Sequence, residues 1–226
     1  LQDCFTRRLR PGVRPIATEP DAIVSPCDAV VGASGVVESG LVYQAKGFPY
    51  RLDELVPDAA LAARLEGGQY VTLRLKSNMY HRFHAPAEGA LRRVLYVSGD
   101  TWNVNPIALA RVERLFCRNE RVVFDLDAEA VLGRPDARLV LVAVAAIGVA
   151  TVRVHALRAR LDLRHRGPNE FRPEVRVTRG EELGFFEAGS TIVLFATPGA
   201  RPWPSVREGQ VIRMGRPLLR APRGAT

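Results

Sequence analysis

Residues 121–157 read RVVFDLDAEAVLGRPDARLVLVAVAAIGVATVRVHAL. Three strand signals stand in this stretch, at 121–126, 139–146 and 148–157, rich in Val and Leu and bounded by Gly, Pro or Asp. The apolar run from Leu139 to Val152 covers 14 residues, short of the ~20 that a membrane-spanning helix needs. The stretch reads as β structure. Similar signals lie upstream at 29–37, 69–75 and 91–97, and the C-terminal third returns to strands at 174–178, 191–195 and 211–214, joined by Gly/Pro-rich turns. Apolar residues at helical spacing over 52–55 and 59–65, interrupted by Pro57 and ended by Gly67-Gly68, predict one helical stretch. A second short helical turn is expected after Asn105-Pro106, where Pro can take the first helical position. The first 20 residues, with Pro11, Pro15 and Pro20, read as an extended lead-in. The expected fold is mainly β (α+β): one antiparallel barrel-sandwich-like β domain over 1–226 with one or two inserted short helices.

Composition narrows the class. The 226 residues are 47% hydrophobic and 25% charged, which is globular and excludes wholesale disorder. Lys and Arg total 32 against 24 acids, and 30 of the 32 are Arg, giving a net charge of +8 that favours anionic partners. The arginines are spread along the chain, and no RNP, zinc-finger or helix-turn-helix pattern is present, so nucleic acid is not an expected partner. Three cysteines, Cys4, Cys27 and Cys117, argue against a disulfide framework and suit a reducing compartment. The opening LQDCFTRRLR lacks the apolar core of a signal peptide. The expectation is a cytoplasmic protein, soluble or peripheral at a membrane.

Three clusters carry chemistry: Ser25-Pro26-Cys27-Asp28, the run Tyr80-His81-Arg82-Phe83-His84-Ala85-Pro86, and Phe186-Glu187-Ala188-Gly189-Ser190-Thr191. An Asp, a His and a Ser are the minimal parts for activating a hydroxyl: orienting carboxylate, base and nucleophile. Singly, each has a structural reading. Asp28 caps a turn after Pro26, His81 and His84 are half-buried imidazoles, and Ser190 starts a strand. The spacing of the two histidines hints at a metal, but no third ligand accompanies them. His155 and His165 lie outside every cluster and read as surface histidines.

In order and content these clusters resemble the phosphatidylserine decarboxylase family of pyruvoyl enzymes, nearly end to end. Phe5 to Ile16 is similar to the family's N-terminal segment, and Ser25-Pro26-Cys27-Asp28 to its SPxD element. Lys46-Gly47 with Tyr50 and Leu55 resembles KG…Y…L, and Tyr80 to Pro86 resembles YHRxHxP. Tyr96 to Asp100 followed by Val104-Asn105-Pro106 resembles YxxGxxxxVN, and Leu115-Phe116 with Asn119-Glu120-Arg121 resembles LFxxNER. Gly180 to Phe186 is similar to GEExGxF, and Gly189-Ser190-Thr191 matches the Gly-Ser-Thr processing site. The sequence departs from the pattern at Ala188, where well-known members carry Leu or Gly, at Cys27 and Ala29 around the motif Asp, and at Met79, where many carry Asp. Most of the N-terminal helical region that members use at membranes is missing, which reads as a truncated form or a soluble branch.

The resemblance implies a self-processing, pyruvoyl-dependent carboxy-lyase. The Ser190 hydroxyl attacks the carbonyl of Gly189, whose missing side chain leaves room for the approach, and the cyclic intermediate opens to an ester. His84 takes the hydroxyl proton, with Asp28 in direct hydrogen-bond reach fixing its tautomer, so Asp28, His84 and Ser190 are expected to converge. Elimination and hydrolysis leave a pyruvoyl group derived from Ser190, and the pieces 1–189 and 190–226 stay associated. No metal and no PLP are expected. The substrate amine forms a Schiff base with the pyruvoyl carbonyl, carbon dioxide leaves, and His81 returns a proton to the carbon. Tyr80 and His81 are the substrate-binding candidates. The implied substrate is phosphatidylserine or a related anionic amino phospholipid at a membrane surface. Alternatives are a same-family decarboxylase of a soluble amino acid or another serine phospholipid and, from another class, an unprocessed binding module. A homodimer is left open.

Overall fold

A computed structural model describes residues 5–43, 48–146, 151–157, 160–187 and 190–222. A large antiparallel sheet runs in the order β12 (Glu170–Phe171), β7 (Gly89–Val97), β8 (Arg121–Asp127), β9 (Arg138–Ala145), β15 (Ser190–Ala196), β5 (Gln69–Leu75), β2 (Ala29–Val36) and β17 (Val211–Ile212), with β13 (Val175–Val177) also on β7. A smaller sheet has the order β11 (Arg160–Leu161), β10 (Val152–Val154), β14 (Glu182–Phe186) and β6 (Arg82–His84). Strands β1 (Ala22–Val24), β18 (Pro217–Arg220) and β16 (Arg201–Pro202) form a third sheet, and β3 (Leu41–Tyr43) pairs with β4 (Pro49–Arg51). Short helices lie at Leu52–Leu55, Ala59–Arg64, Pro106–Leu109, Leu115–Arg118 and Glu129–Leu132.

The large sheet is covered on both faces, which explains why its central strands read as unbroken apolar runs rather than alternating ones. Ile192, Leu194 and Ala196 of β15 face one core with Leu141 and Ala143 of β9 and Phe124 of β8. The smaller sheet supplies Phe83, Val152, Val154 and Phe186 to that core, and the Phe83 ring meets Phe124 edge-on at 5.3 Å. Val193 and Phe195 face the opposite core, where the helices contribute Leu52, Leu55, Leu115 and Phe116. Burying each such side chain stabilises the fold by roughly 1.5–3 kcal/mol.

The mainly β, α+β expectation holds. Two of its details are corrected. The described sheets stack in layers and none closes into a barrel, and the described residues include five short helices where one or two were expected. The segments at 52–55 and 59–64, and the turn at Pro106 capped by Asn105 Oδ1 accepting from Ala108 N at 2.8 Å, lie where the sequence puts them. Helices Leu115–Arg118 and Glu129–Leu132 are a single turn each, too short to leave a periodic pattern. The sequence reading left β6 and β14 without strand assignments. Gly184 lets them meet: a Cβ there would stand 2.0 Å from Arg153 O and 2.7 Å from the Phe83 ring, so only glycine fits β14 between β10 and β6.

Candidate active site

Strand β15 fixes Ser190. It pairs with β5 on one side and β9 on the other, Ser190 opposite Leu75 and Ala145. The residue is fully buried and its Oγ has no hydrogen-bond partner among the described residues. An unpaired buried hydroxyl costs stability, of order 1–3 kcal/mol, and the Tyr50, Thr72 and Thr191 hydroxyls are in the same state among the described residues. Gly189, the other half of the expected cleavage site, lies outside the described residues, as does Lys46-Gly47 of the quoted motifs.

The two histidines are carried on and just before β6. Phe186 N donates to His81 O at 3.0 Å, so His81 stands at the Ser190 end of the β6–β14 ladder. His84, opposite Glu182, lies three positions farther along, roughly 10 Å at strand rise. Each ring has a defined tautomer, because its Nδ1 faces a carbonyl that can only accept. His84 Nδ1 donates to Gly180 O at 2.8 Å, which leaves the lone pair on Nε2 to accept from the Tyr80 hydroxyl at 3.0 Å. His81 Nδ1 donates to Met79 O at 2.9 Å, and its Nε2 is buried without a partner among the described residues. Burial pushes both imidazoles below the ordinary value. At His84 the Gly180 bond and the charges of Glu182 and Asp28 oppose that shift, with Arg82 adding to it. At His81 the Met79 carbonyl opposes it and the charge of Arg7 adds to it. Burial also raises the Tyr80 phenol, keeping it a hydroxyl donor.

The Asp28 carboxylate is fully engaged. Oδ1 accepts from Arg14 Nε and from Met214 N, each at 2.9 Å, and Oδ2 accepts from Arg14 Nη2 at 2.5 Å and Arg213 Nη1 at 3.1 Å. Burial raises its pKa, but the Arg14, Met214 and Arg213 bonds outweigh that and hold it below the ordinary range. The expected Asp28–His84 hydrogen bond is therefore absent. Two guanidiniums outcompete a neutral imidazole for one carboxylate, because charge-assisted, bidentate bonds are the stronger ones. Asp28 and His84 are nevertheless neighbours: His84 N donates to Pro26 O at 2.8 Å, and the Asp28 charge is felt at the ring. His84, Tyr80, Arg14 and Glu182 line one cavity of about 440 Å³. Ser190 lines another, and no hydrogen bond joins it to His84.

A family profile described as phosphatidylserine decarboxylase matches residues 1–220. The chain is similar to proteins named phosphatidylserine decarboxylase proenzyme from several bacteria. That of Anaeromyxobacter sp. (strain K) is 40% identical over 223 residues, covering 95% of this chain and 76% of the relative. The Methylibium petroleiphilum protein is 40% identical over 225 residues, with 98% and 77% covered. The Brevibacillus brevis protein is 35% identical over 222, with 96% and 78% covered. The chain belongs to the phosphatidylserine decarboxylase family.

Within that family frame, several partners of the motif residues escaped the sequence reading. Arg14 and Arg213 hold Asp28 from opposite ends of the chain, and Gly180 orients His84 across 96 positions. Arg14 lies in a quoted motif, but nothing local marks it as a carboxylate's partner. His155 adds to the site. It is exposed, as expected of a surface histidine, but it also lines the cavity of His84, its Nε2 lying 2.6 Å from Glu182 Oε1, which Arg82 Nη1 also contacts at 2.6 Å. His165 packs edge-on against Tyr96, ring centroids 5.3 Å apart.

Proposed function

We propose that this decarboxylase-family chain cuts itself between Gly189 and Ser190 and, once matured, converts phosphatidylserine to phosphatidylethanolamine and carbon dioxide. The observation that carries the reading is the buried, unpartnered Ser190 hydroxyl at the head of a central strand. A pyruvoyl group made from Ser190 fits there, with Leu75 and Ala145 as its strand neighbours. Such a group supplies a ketone that acts as an electron sink for the departing carboxylate. Pairing of β15 with both β5 and β9, and burial of every one of its residues, supports continued association of positions 190–226 with the rest after a cut.

The histidines divide the proton work by their electrostatics. His84 takes the Ser190 proton at Nε2, because the imidazolium so formed is favoured by the charges of Glu182 and Asp28. Tyr80 holds that lone pair at rest and must release it first. Asp28 acts by its charge and by anchoring Arg14 and Met214, not by a bond to the ring. His81 has the charge of Arg7 working against its protonation, so an imidazolium formed at its Nε2 sheds its proton readily. That suits a group that returns a proton to carbon. Among the described residues no helix is long and apolar enough to cross a membrane. The net charge of +8 supports peripheral binding to an anionic lipid surface.

Intact mass under denaturing conditions tests the proposal. Two masses, for positions 1–189 and 190–226, are expected, the smaller reacting with hydrazines through its ketone. A single uncut mass after prolonged incubation overturns the reading. Cleavage should also slow in acid, because only neutral His84 accepts a proton. Since burial lowers the pKa of that ring, the midpoint of the loss is expected below the ordinary imidazole value of 6.5. A gel time course from about pH 8 down to about pH 5 reads it. A midpoint at or above 6.5 removes His84 from this role.

A further inference from the structure

Two cavities share one arginine. The larger, of about 540 Å³, is lined by Arg74, Lys76, Asn78, Asn105 and Ser190 among others. The smaller, of about 240 Å³, is walled by Val31, Ala33, Leu109 and Phe116, and Arg74 lines it as well. Arg74 is half-buried on β5, and neither an ion pair nor a side-chain hydrogen bond satisfies it among the described residues. Glu208 also lines the smaller cavity but makes no ion pair with it among those residues. Arginines elsewhere in this chain with comparable or deeper burial, such as Arg14, Arg82, Arg93 and Arg121, all have carboxylate or carbonyl partners. A guanidinium that faces two cavities and has no anion of the described protein on it is open to an anionic ligand.

Arg74 and Ser190 meet at the larger cavity, which both line, although their side chains leave opposite faces of the sheet, Arg74 on the face of Thr191 and Ser190 on that of Leu75. Arg74 lies directly opposite Thr191 and Leu75 opposite Ser190, which sets Arg74 about 5 Å from the Thr191 backbone. The Thr191 hydroxyl is buried and unpartnered among the described residues too. In a serine phosphodiester four bonds separate the amine nitrogen from phosphorus, so an amine held at position 190 brings the phosphate to the neighbouring strand. A guanidinium on one side and an apolar cavity on the other match a phosphodiester that carries a hydrocarbon chain.

We propose that Arg74, with Lys76 beside it, holds the phosphodiester of the substrate, and that the cavity walled by Val31, Ala33, Leu109 and Phe116 receives the attached acyl chain. This inference rests on the decarboxylase reading and adds the means by which a lipid is told from a free amino acid. Arginine serves here as a fork of donors matched to phosphate oxygens, so lysine is only a partial substitute.

The test compares wild type with Arg74→Gln, Arg74→Lys and the cavity-filling Ala33→Leu, with self-cleavage on a gel reporting an intact fold. Substrates are dioctanoyl phosphatidylserine and glycerophosphoserine, which keeps the phosphodiester and lacks acyl chains. Arg74→Gln is expected to raise KM for both by roughly tenfold or more, and Arg74→Lys to recover part of the loss. Ala33→Leu is expected to raise KM for the dioctanoyl substrate alone. Calorimetric binding of glycerophosphoethanolamine, the product head group, needs no chemistry and should weaken by a similar factor in Arg74→Gln. Normal turnover with unchanged KM and Kd in Arg74→Gln overturns the phosphodiester site. Equal effects of Ala33→Leu on both substrates overturn the acyl cavity. Arg74-dependent binding without carbon dioxide release supports the site and defeats the proposed reaction instead.

Discussion

His84→Ala is expected to leave the chain uncut and inactive. Cleavage needs a base at the serine hydroxyl, and His84 is the imidazole whose protonated form is favoured by two carboxylates, Glu182 and Asp28. Loss of a general base typically slows a reaction by 10²–10⁴-fold, about 3–5 kcal/mol of barrier. A time course in which wild type is cut should therefore show His84→Ala as one band. Tyr80 gives the assignment an internal control, because its hydroxyl occupies the His84 lone pair in the structure. Tyr80→Phe frees that lone pair without removing the ring, so it should cut while His84→Ala does not. Cleavage of His84→Ala at the wild-type rate would transfer the base role elsewhere, and His81, at the Ser190 end of the ladder, is then the first residue to examine.

His81→Ala is expected to give the opposite phenotype: the chain is cut, but product release falls by a comparable 10²–10⁴-fold. The His81 Nδ1 proton is pinned on Met79 O, so the ring exchanges protons through Nε2 alone, and that atom is buried with no partner competing for it among the described residues. Burial and the charge of Arg7 favour giving the proton up. The measurement is carbon dioxide release from a fully cut preparation, with the hydrazine-reactive mass confirming that the ketone formed. Wild-type release by His81→Ala would show that the proton comes from another group. Uncut His81→Ala combined with cut His84→Ala would exchange the two roles and leave the family's chemistry in place.

Much of the site was legible because its signals are local. Gly189-Ser190-Thr191 leads into an apolar run, and Ser190 is the first residue of a strand for that reason. Tyr80, His81 and His84 fall within five consecutive positions, close enough to mark one another. The partners were less legible. The Asp28 carboxylate read as the partner of His84 because Asp, His and Ser form a familiar set. Arg14 and Arg213 decide otherwise, and in a chain with 30 arginines no local feature distinguishes those two. β6 was missed because it is three residues long and has too few positions to display alternation.

The sequence by itself determined the fold class and the central strands and singled out Ser190, His81 and His84 as candidates, because each depends on composition, short-range apolar pattern or contiguous motif. Tertiary structure alone decided what those groups touch. It set the tautomers through Gly180 and Met79, gave Asp28 to two arginines, and put Arg74 one strand from Ser190. The physical reason is that hydrogen bonds and charges act over a few ångströms in space. Which residues come that close is fixed by strand register and layer packing, which bring together positions as far apart as 28 and 213.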